Sequence, residues 1–589
     1  MTPAGARVRR RRALLATGIA GAAVLLALAT WLGVRTVMVK GELQQLMPLA
    51  SAVKQHVIDG DMDAAEADLQ EFSRRADAAA ALTDDPVWRF VEVLPWVGDD
   101  AAAIRVSAGA AGKVAAEATS LVASAARAQT EDENGGKSWD LSTLKDLADP
   151  LRGLNEALSR ARTELDAIST DDLISPLRNG VGHLRDELDD LAPQVSSLTQ
   201  AAEMIPGLLG ADGARNILLM EQNPAEVRTG GGLAGSFALL TADQGEVTLA
   251  QIVDSSTFSS AAELDTSLPD STLALYGTTV DDFVQNISMT PDFTVTAQLA
   301  IDWWSHVSDV VPDAVVSIDP EVLAAVLTAT GPVALADGTP IAADTLTDQL
   351  LVEPYLSLDA DEQTSLQRAV TEAVFAQLTT APIDLVTLAG ALADPIEEGR
   401  ISIWSARADE QTVIADTPLA GPLARRVAAG DETYAVYLND TTMGKMDSYL
   451  STSVSLANDA CRADGRAVVS VAVTLASNAP ADAATLPPLM IGPTQDDVAA
   501  GQIATLVSVA APTGTELEGV WDGETAVSTR WVTDAGFPTG MAEIVLSPGE
   551  ERTLVFRFIR PAGAATATPT VLTTPLLREA TVSASMVGC

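Results

Sequence analysis

The sequence predicts a multidomain α+β protein: an N-terminal transmembrane helix, a helical stalk or bundle, an α/β domain and a C-terminal β-sandwich. Three observations carry this reading. Ala13–Val34 is a run of 22 residues without a charge. Apolar residues recur at helical spacing from about residue 41 to residue 205. From Asp431 onward apolar and polar residues alternate at the two-residue period of strands. At 589 residues the chain is long enough for three or four domains with at least one sizeable core.

The first element is a basic tail, residues 1–12, followed by the uncharged run at 13–34. As a helix that run spans about 33 Å, enough to cross a hydrocarbon core. Arg7, Arg9, Arg10, Arg11 and Arg12 precede it, which places the N-terminus inside and everything after Arg35 outside the cell membrane. A cleaved signal peptide is the alternative, with Ala27-Leu28-Ala29 as its cleavage site. The run is long for that role and continues through Trp31, Leu32 and Val34.

Residues 41–205 are rich in alanine, leucine and glutamate. In "LRGLNEALSRARTELDAI", Leu151, Leu154, Leu158 and Leu165 fall on one helical stripe. "DPVWRFVEVLPWVGDD" (85–100) breaks the period with two prolines and two tryptophans, and is read as a turn of one helix onto another. "QTEDENGGKSWD" (129–140) is a polar loop.

Residues 206–430 mix strands and helices. "RNILLMEQ" is a strand, and "GSFALLTADQGEVTLAQIVD" is a hairpin around Ala242-Asp243-Gln244-Gly245. "PDFTVTAQLAIDWWSHV", "PEVLAAVLTATG" and "SLQRAVTEAVFAQL" have helical spacing, the second with proline in its first turn. Residues 431–589 supply "AVVSVAVTLAS", "QIATLVSVAAP" and "RTLVFRFIRP", the alternating strands of a sandwich. Cys461 and Cys589, the two cysteines of the chain, are expected to pair as a disulfide in an exported protein; buried free thiols are the alternative.

The net charge of -44 is unevenly spread: residues 1–40 hold +7 and no acid, leaving -51 on the rest. That bulk excludes nucleic acid as a partner, because phosphate binding rests on clustered lysine and arginine. Only six of the 36 basic residues are lysine, consistent with a GC-rich bacterial genome.

Sequence signatures of catalysis are scarce. The histidines are His56, His183 and His306, and G-x-S-x-G, H-E-x-x-H and Walker loops are absent. His306, in "DWWSHVSD", is read as a helix-surface or packing residue. The candidate ligand site is "AEVRTGGGLAGSFALL" (225–240), where Arg228 precedes Gly230, Gly231 and Gly232, and Ser236 follows. Such a loop can aim backbone N–H groups and an arginine fork at an anion. Alternatively, its glycines supply tight backbone between two strands.

The stretch "RNILLMEQNPAEVRTGGGLAGSFALLTADQGEVTL", with "PVWRFVEVLPWVGDD" before it and "YLNDTTMGKMDSYL" after it, resembles a family of membrane-anchored bacterial envelope proteins carrying a domain of unknown function. Its members tend to come from GC-rich Gram-positive bacteria. Gln222, Asn223, Glu226, Arg228, Gly231 and Gly232 fit the family's core pattern. More distantly, the α/β region resembles the LytR–CpsA–Psr phosphotransferases. These move glycopolymers from a polyprenyl-pyrophosphate lipid to the cell wall, using arginines and a magnesium-bound aspartate. That resemblance implies roles for Arg228, Asp254 and Arg368 around a pyrophosphate. It departs where the family has an aspartate after its first arginine, here Thr229, and where an arginine precedes the acid, here Val253. A transferase without its metal ligand and charge clamp lacks the electrostatic stabilisation that usually contributes most to its rate.

The expectation is therefore a binding or scaffold protein of cell-wall or surface-glycan assembly, not an enzyme and without a cofactor. The alternative is a magnesium-dependent phosphotransferase acting on a polyprenyl-pyrophosphate-linked glycan. Arg228 and Arg368 are expected to converge on one cleft, with Glu226 or Asp254 beside them.

Overall fold

A computed structural model describes residues 31–589 apart from 32, 43, 59–60, 96, 129–140, 259–263, 381–384, 494–497 and 565. The run Ala13–Val34 lies almost wholly outside these residues. Among the described residues, no helix is long and apolar enough to cross a membrane. The chain divides into two compact units, one of residues up to 135 with 142–203, the other of 136–141 with 204–589.

The first unit is built of helices, chiefly Met62–Thr83, Gly98–Ala128 and nearly all of Leu141–Asp166 and Ser175–Leu208, the last of which ends in the second unit. Their starts follow from capping. The Asp61 carboxylate accepts from the Ala64 amide, and Asp85 caps the short helix Pro86–Val91, whose proline occupies the first turn. Leu154, Leu158 and Leu165 are buried with Ala110, Ala161 and Leu188 in a common core, and Leu151 is buried as well. Fully buried Ala79 and Ala108 form a second cluster with Val39, where small side chains let neighbouring helices approach closely.

The second unit opens on a mixed sheet. Its strands are β1 (Arg215–Asn223), β2 (Leu233–Asp243), β3 (Glu246–Asp254) and β4 (Ala314–Ile318). A small hairpin, β5 (Val333–Ala334) and β6 (Pro340–Ile341), follows, and β7 (Ser402–Ser405) completes the main sheet in the order β3-β2-β1-β4-β7. β1 and β4 are parallel and the other pairs antiparallel. The β2–β3 turn has Gln244 at φ 50° and Gly245 at φ 87°, the two positive values a tight primed turn requires. Strand alternation sends Leu218 and Met220 to one face, against Phe237, Trp303 and Trp304, and Ile217 to the other, against Val322, Val326 and Val374. Helices thus cover both faces.

From Tyr434 the chain forms two further sheets. β8 (Tyr434–Asp440), β9 (Leu450–Cys461), β10 (Ala467–Ser477), β11 (Ile503–Ala510), β12 (Glu516–Asp522) and β13 (Thr525–Ala526) come first. β14 (Arg530–Asp534), β15 (Phe537–Leu546), β16 (Glu551–Ile559), β17 (Val571–Thr573) and β18 (Thr581–Ala584) follow. The sheets β13-β12-β16-β10-β9-β18 and β14-β15-β11-β8-β17 share one core of Val469, Val471, Val473, Val507, Phe556 and Phe558. Met541, on the far face of β15, joins the cluster of Phe237 and Trp303. Cys461 and Cys589 form a disulfide with Cα atoms 5.8 Å apart, beside the parallel pairing of β18 with β9.

Candidate functional site

The glycine loop joins β1 to β2 and is buried. Its amides are committed to the protein. Gly230 N–H donates to the Ser288 carbonyl (2.9 Å), Gly231 N–H to the Arg228 carbonyl (2.8 Å) and Gly232 N–H to Gln222 Oε1 (2.7 Å). A Cβ on Gly232 would lie 2.3 Å from the Asn223 carbonyl carbon, so only glycine fits where the loop crosses back over β1. Gly231 sits at φ 127°, a second position that favours glycine.

Arg228 is 3% exposed and equally committed. Its guanidinium donates to Glu226 Oε1 (2.8 Å), to Asn286 Oδ1 (3.0 and 2.8 Å) and to the Val227 carbonyl (2.8 Å), with Asp440 Oδ2 3.9 Å away. The other Glu226 oxygen accepts from Lys445 Nζ (2.6 Å). Thr229 and Asn439 exchange two hydrogen bonds, Val227 N–H donates to Asp447 Oδ2 (2.8 Å), and the Asp440 amide donates to the Val227 carbonyl (2.8 Å). The loop is therefore fastened to residues 439–447 at the end of β8 by a network of three carboxylates and two cations.

The electrostatics follow from burial. Burial pushes the Glu226 carboxyl up, but Lys445 and Arg228 more than offset it and hold it below the usual carboxylate range. Burial, with repulsion from Glu226, pushes Asp440 up to about 6 against the pull of Arg228. Burial and the neighbouring Asp440 raise Asp447 well above the usual range, although it accepts from the Val227 amide. The second Asp447 oxygen, Oδ1, is buried without a hydrogen-bond partner. Lys445 is depressed by burial and raised further by Glu226, and so stays charged.

Ser236, Asp254 and Arg368 line a different place, an open pocket shared with Ile252, Thr364, Gln367 and Thr371. The β2–β3 register pairs Ser236 with Asp254 directly. Thr364, Gln367, Arg368 and Thr371 are spaced to share one face of the helix Ala360–Thr380. Glu221 bridges the two elements, accepting from Ser236 Oγ (2.6 Å) and Thr371 Oγ1 (3.0 Å). Burial raises its carboxyl, and these two hydroxyls oppose the rise. Asp254 accepts from the Ser256 amide (2.8 Å) and hydroxyl. Arg368 is exposed and pairs with no carboxylate among the described residues.

Residues 212–355 match the family model described as Protein of unknown function (DUF4012). The match spans β1 to β4 with the glycine loop, Ser236 and Asp254, and ends before the helix Ala360–Thr380 that carries Arg368 and before residues 439–447. That description carries no activity. No curated protein and no solved structure matches the chain.

The structure thus brings Asp254, Ser236 and Arg368 together, and sets Arg228 with Glu226 in the buried network instead of in the pocket lining. His306 is exposed just beyond the helix Phe293–Ser305. Among the described residues, no three of histidine, cysteine, aspartate and glutamate converge where an ion would sit. Sequence reasoning missed Asn439, Asp440, Lys445 and Asp447 as partners of the loop. One signal was available: Lys445 is the only lysine after Lys145.

Proposed function

We propose that this chain is a membrane-anchored, extracytoplasmic binding or scaffold protein acting in cell-wall or surface-glycan assembly, with the pocket around Arg368 as its ligand contact. One observation carries the reading. The loop amides and Arg228 are consumed inside the fold as a joint, while Arg368 stands exposed beside Ser236 and Asp254 and, among the described residues, pairs with no carboxylate. An unpaired guanidinium is free to take a phosphate by a bidentate contact. The disulfide supports an oxidising compartment, and the five arginines ahead of an uncharged run support an anchor with the bulk outside. The test is binding of a polyprenyl pyrophosphate in detergent to the full chain. Arg368→Ala should weaken it markedly without lowering the melting temperature. Equal binding by wild type and Arg368→Ala would sink the reading.

A second reading, a phosphotransferase that moves a glycan from a polyprenyl-pyrophosphate lipid to the cell wall, draws support from Asp254 and Arg368 lining the same pocket. It requires transfer of label from a lipid-linked glycan to a wall acceptor that is lost in Asp254→Asn. Binding without such transfer leaves the scaffold reading standing alone.

A further inference from the structure

The turn at residues 92–95, with Val97 after it, displays apolar side chains on a stiff frame in the helical unit. Phe90 is 61% exposed and Val93 74%, and Leu94 and Val97 are exposed beside them. Flexibility does not explain this display. Trp88 is buried and donates its indole N–H to the Ala101 carbonyl (3.0 Å). Glu92 takes a two-pronged bond from Arg105 (2.5 and 3.1 Å). Gly98 packs so tightly that a Cβ would sit 2.3 Å from the Glu92 carbonyl oxygen. A soluble surface rarely keeps adjoining large apolar groups in fixed exposure unless something covers them.

The place of this turn says what does. Residues 33–42 are helical and run against Met62–Thr83: Glu42 pairs with Arg75 (3.2 Å), and Arg35 pairs with Asp85 (2.7 Å) and donates to the Leu82 carbonyl (2.6 Å). Arg35 therefore lies at the end of the unit that carries the turn. The uncharged run read as a membrane span ends at Val34, one residue earlier. Val37 and Met38, on the same short helix, are exposed as well. The three arginines around the turn are each paired, Arg35 with Asp85, Arg89 with Asp84 and Arg105 with Glu92, which lowers the cost of bringing those pairs to an interface.

We propose that Phe90, Val93, Leu94 and Val97 form a second membrane contact that dips into the outer lipid interface and fixes the tilt of the helical unit. This inference rests on the membrane-anchored reading above. Because the nearby arginines are paired and acids outnumber bases there, the contact is apolar and does not need anionic lipid.

The test uses the full chain in zwitterionic phosphatidylcholine vesicles, with an environment-sensitive fluorophore on Val93→Cys. The control is Lys145→Cys, an exposed position near the start of the helix Leu141–Asp166. Flotation of the vesicles reads the anchor, and lipid-borne shallow quenchers read the contact. The inference expects flotation, a blue shift and quenching at position 93, and neither spectral change at position 145. Flotation with position 93 quenched only by aqueous iodide would overturn the contact and leave the anchor intact. A blue shift at 93 that is insensitive to lipid quenchers and grows with protein concentration would also overturn it, in favour of contact between copies. Failure to float would overturn the anchor, and this inference with it.

Discussion

Lys445 Nζ lies 2.6 Å from Glu226 Oε2, although 219 residues separate them in the chain. Glu226 belongs to the glycine loop and Lys445 to the segment after β8, so one ion pair closes the joint between the mixed sheet and the sandwich. Breaking a buried pair outright costs about 3–5 kcal/mol, and because Glu226 also bonds Arg228, losing one of its two cations should cost less than that. Lys445→Met should lower the urea midpoint accordingly, and Arg228→Met should do the same. A change under about 1 kcal/mol in both would mean that the network contributes little.

The two aspartates beside that pair set a pH dependence. Asp440 titrates near 6 in the fold against about 3.9 in an unfolded chain. Between those values the folded state binds more protons, so this group's contribution to stability is complete at low pH and is lost as pH rises through the window. Asp447, raised further, acts in the same direction. Glu226, lowered, acts in the opposite direction and is the same residue in wild type and variant. Asp440→Asn should flatten the fall in unfolding midpoint between about pH 4 and pH 6. A variant curve parallel to wild type across that window would refute the assignment.

The disulfide closes a loop of 128 residues. In the chain-entropy account such a closure is worth about 4–5 kcal/mol. The Cys461→Ser, Cys589→Ser double variant should lose stability on that order. Alkylation of native, unreduced protein should label no cysteine, and labelling of both would show that the bond is absent in solution.

Two glycines of one segment make a paired test. Gly232→Ala drives a methyl into the Asn223 backbone at 2.3 Å, whereas at Gly235 the nearest atom is 3.5 Å away. The first should cost at least about 3 kcal/mol or prevent folding, and the second should be near neutral. Equal tolerance of the two would show that the loop does not pass so close to β1.

Local structure was legible because it is written in short-range signals. The Gln244-Gly245 turn, the Pro320 helix start and the strand 467–477 each rest on neighbours a few residues apart. The stripe of Leu151, Leu154, Leu158 and Leu165 is a further case, a periodic pattern whose members are all buried. The surroundings of Arg228 were not legible. Glycines before a strand look alike whether their amides face a ligand or the Ser288 carbonyl, and partners such as Asn286 and Asn439 arrive only with the tertiary fold. Asp254 and Arg368 meet for a similarly long-range reason. The β2–β3 register places Asp254 opposite Ser236, and the packing of the helix Ala360–Thr380 brings Arg368 to the same rim.

The scarcity of lysine gives the joint a chemical reporter. Beyond residue 145 the chain offers amine-directed reagents a single side chain, Lys445, and its ammonium is held by Glu226 with 12% of the side chain exposed. An acylating probe should modify the helical unit while sparing residue 445 for as long as the joint stays shut. Acylation at 445 then counts opening events in a population of otherwise folded molecules, with no residue replaced.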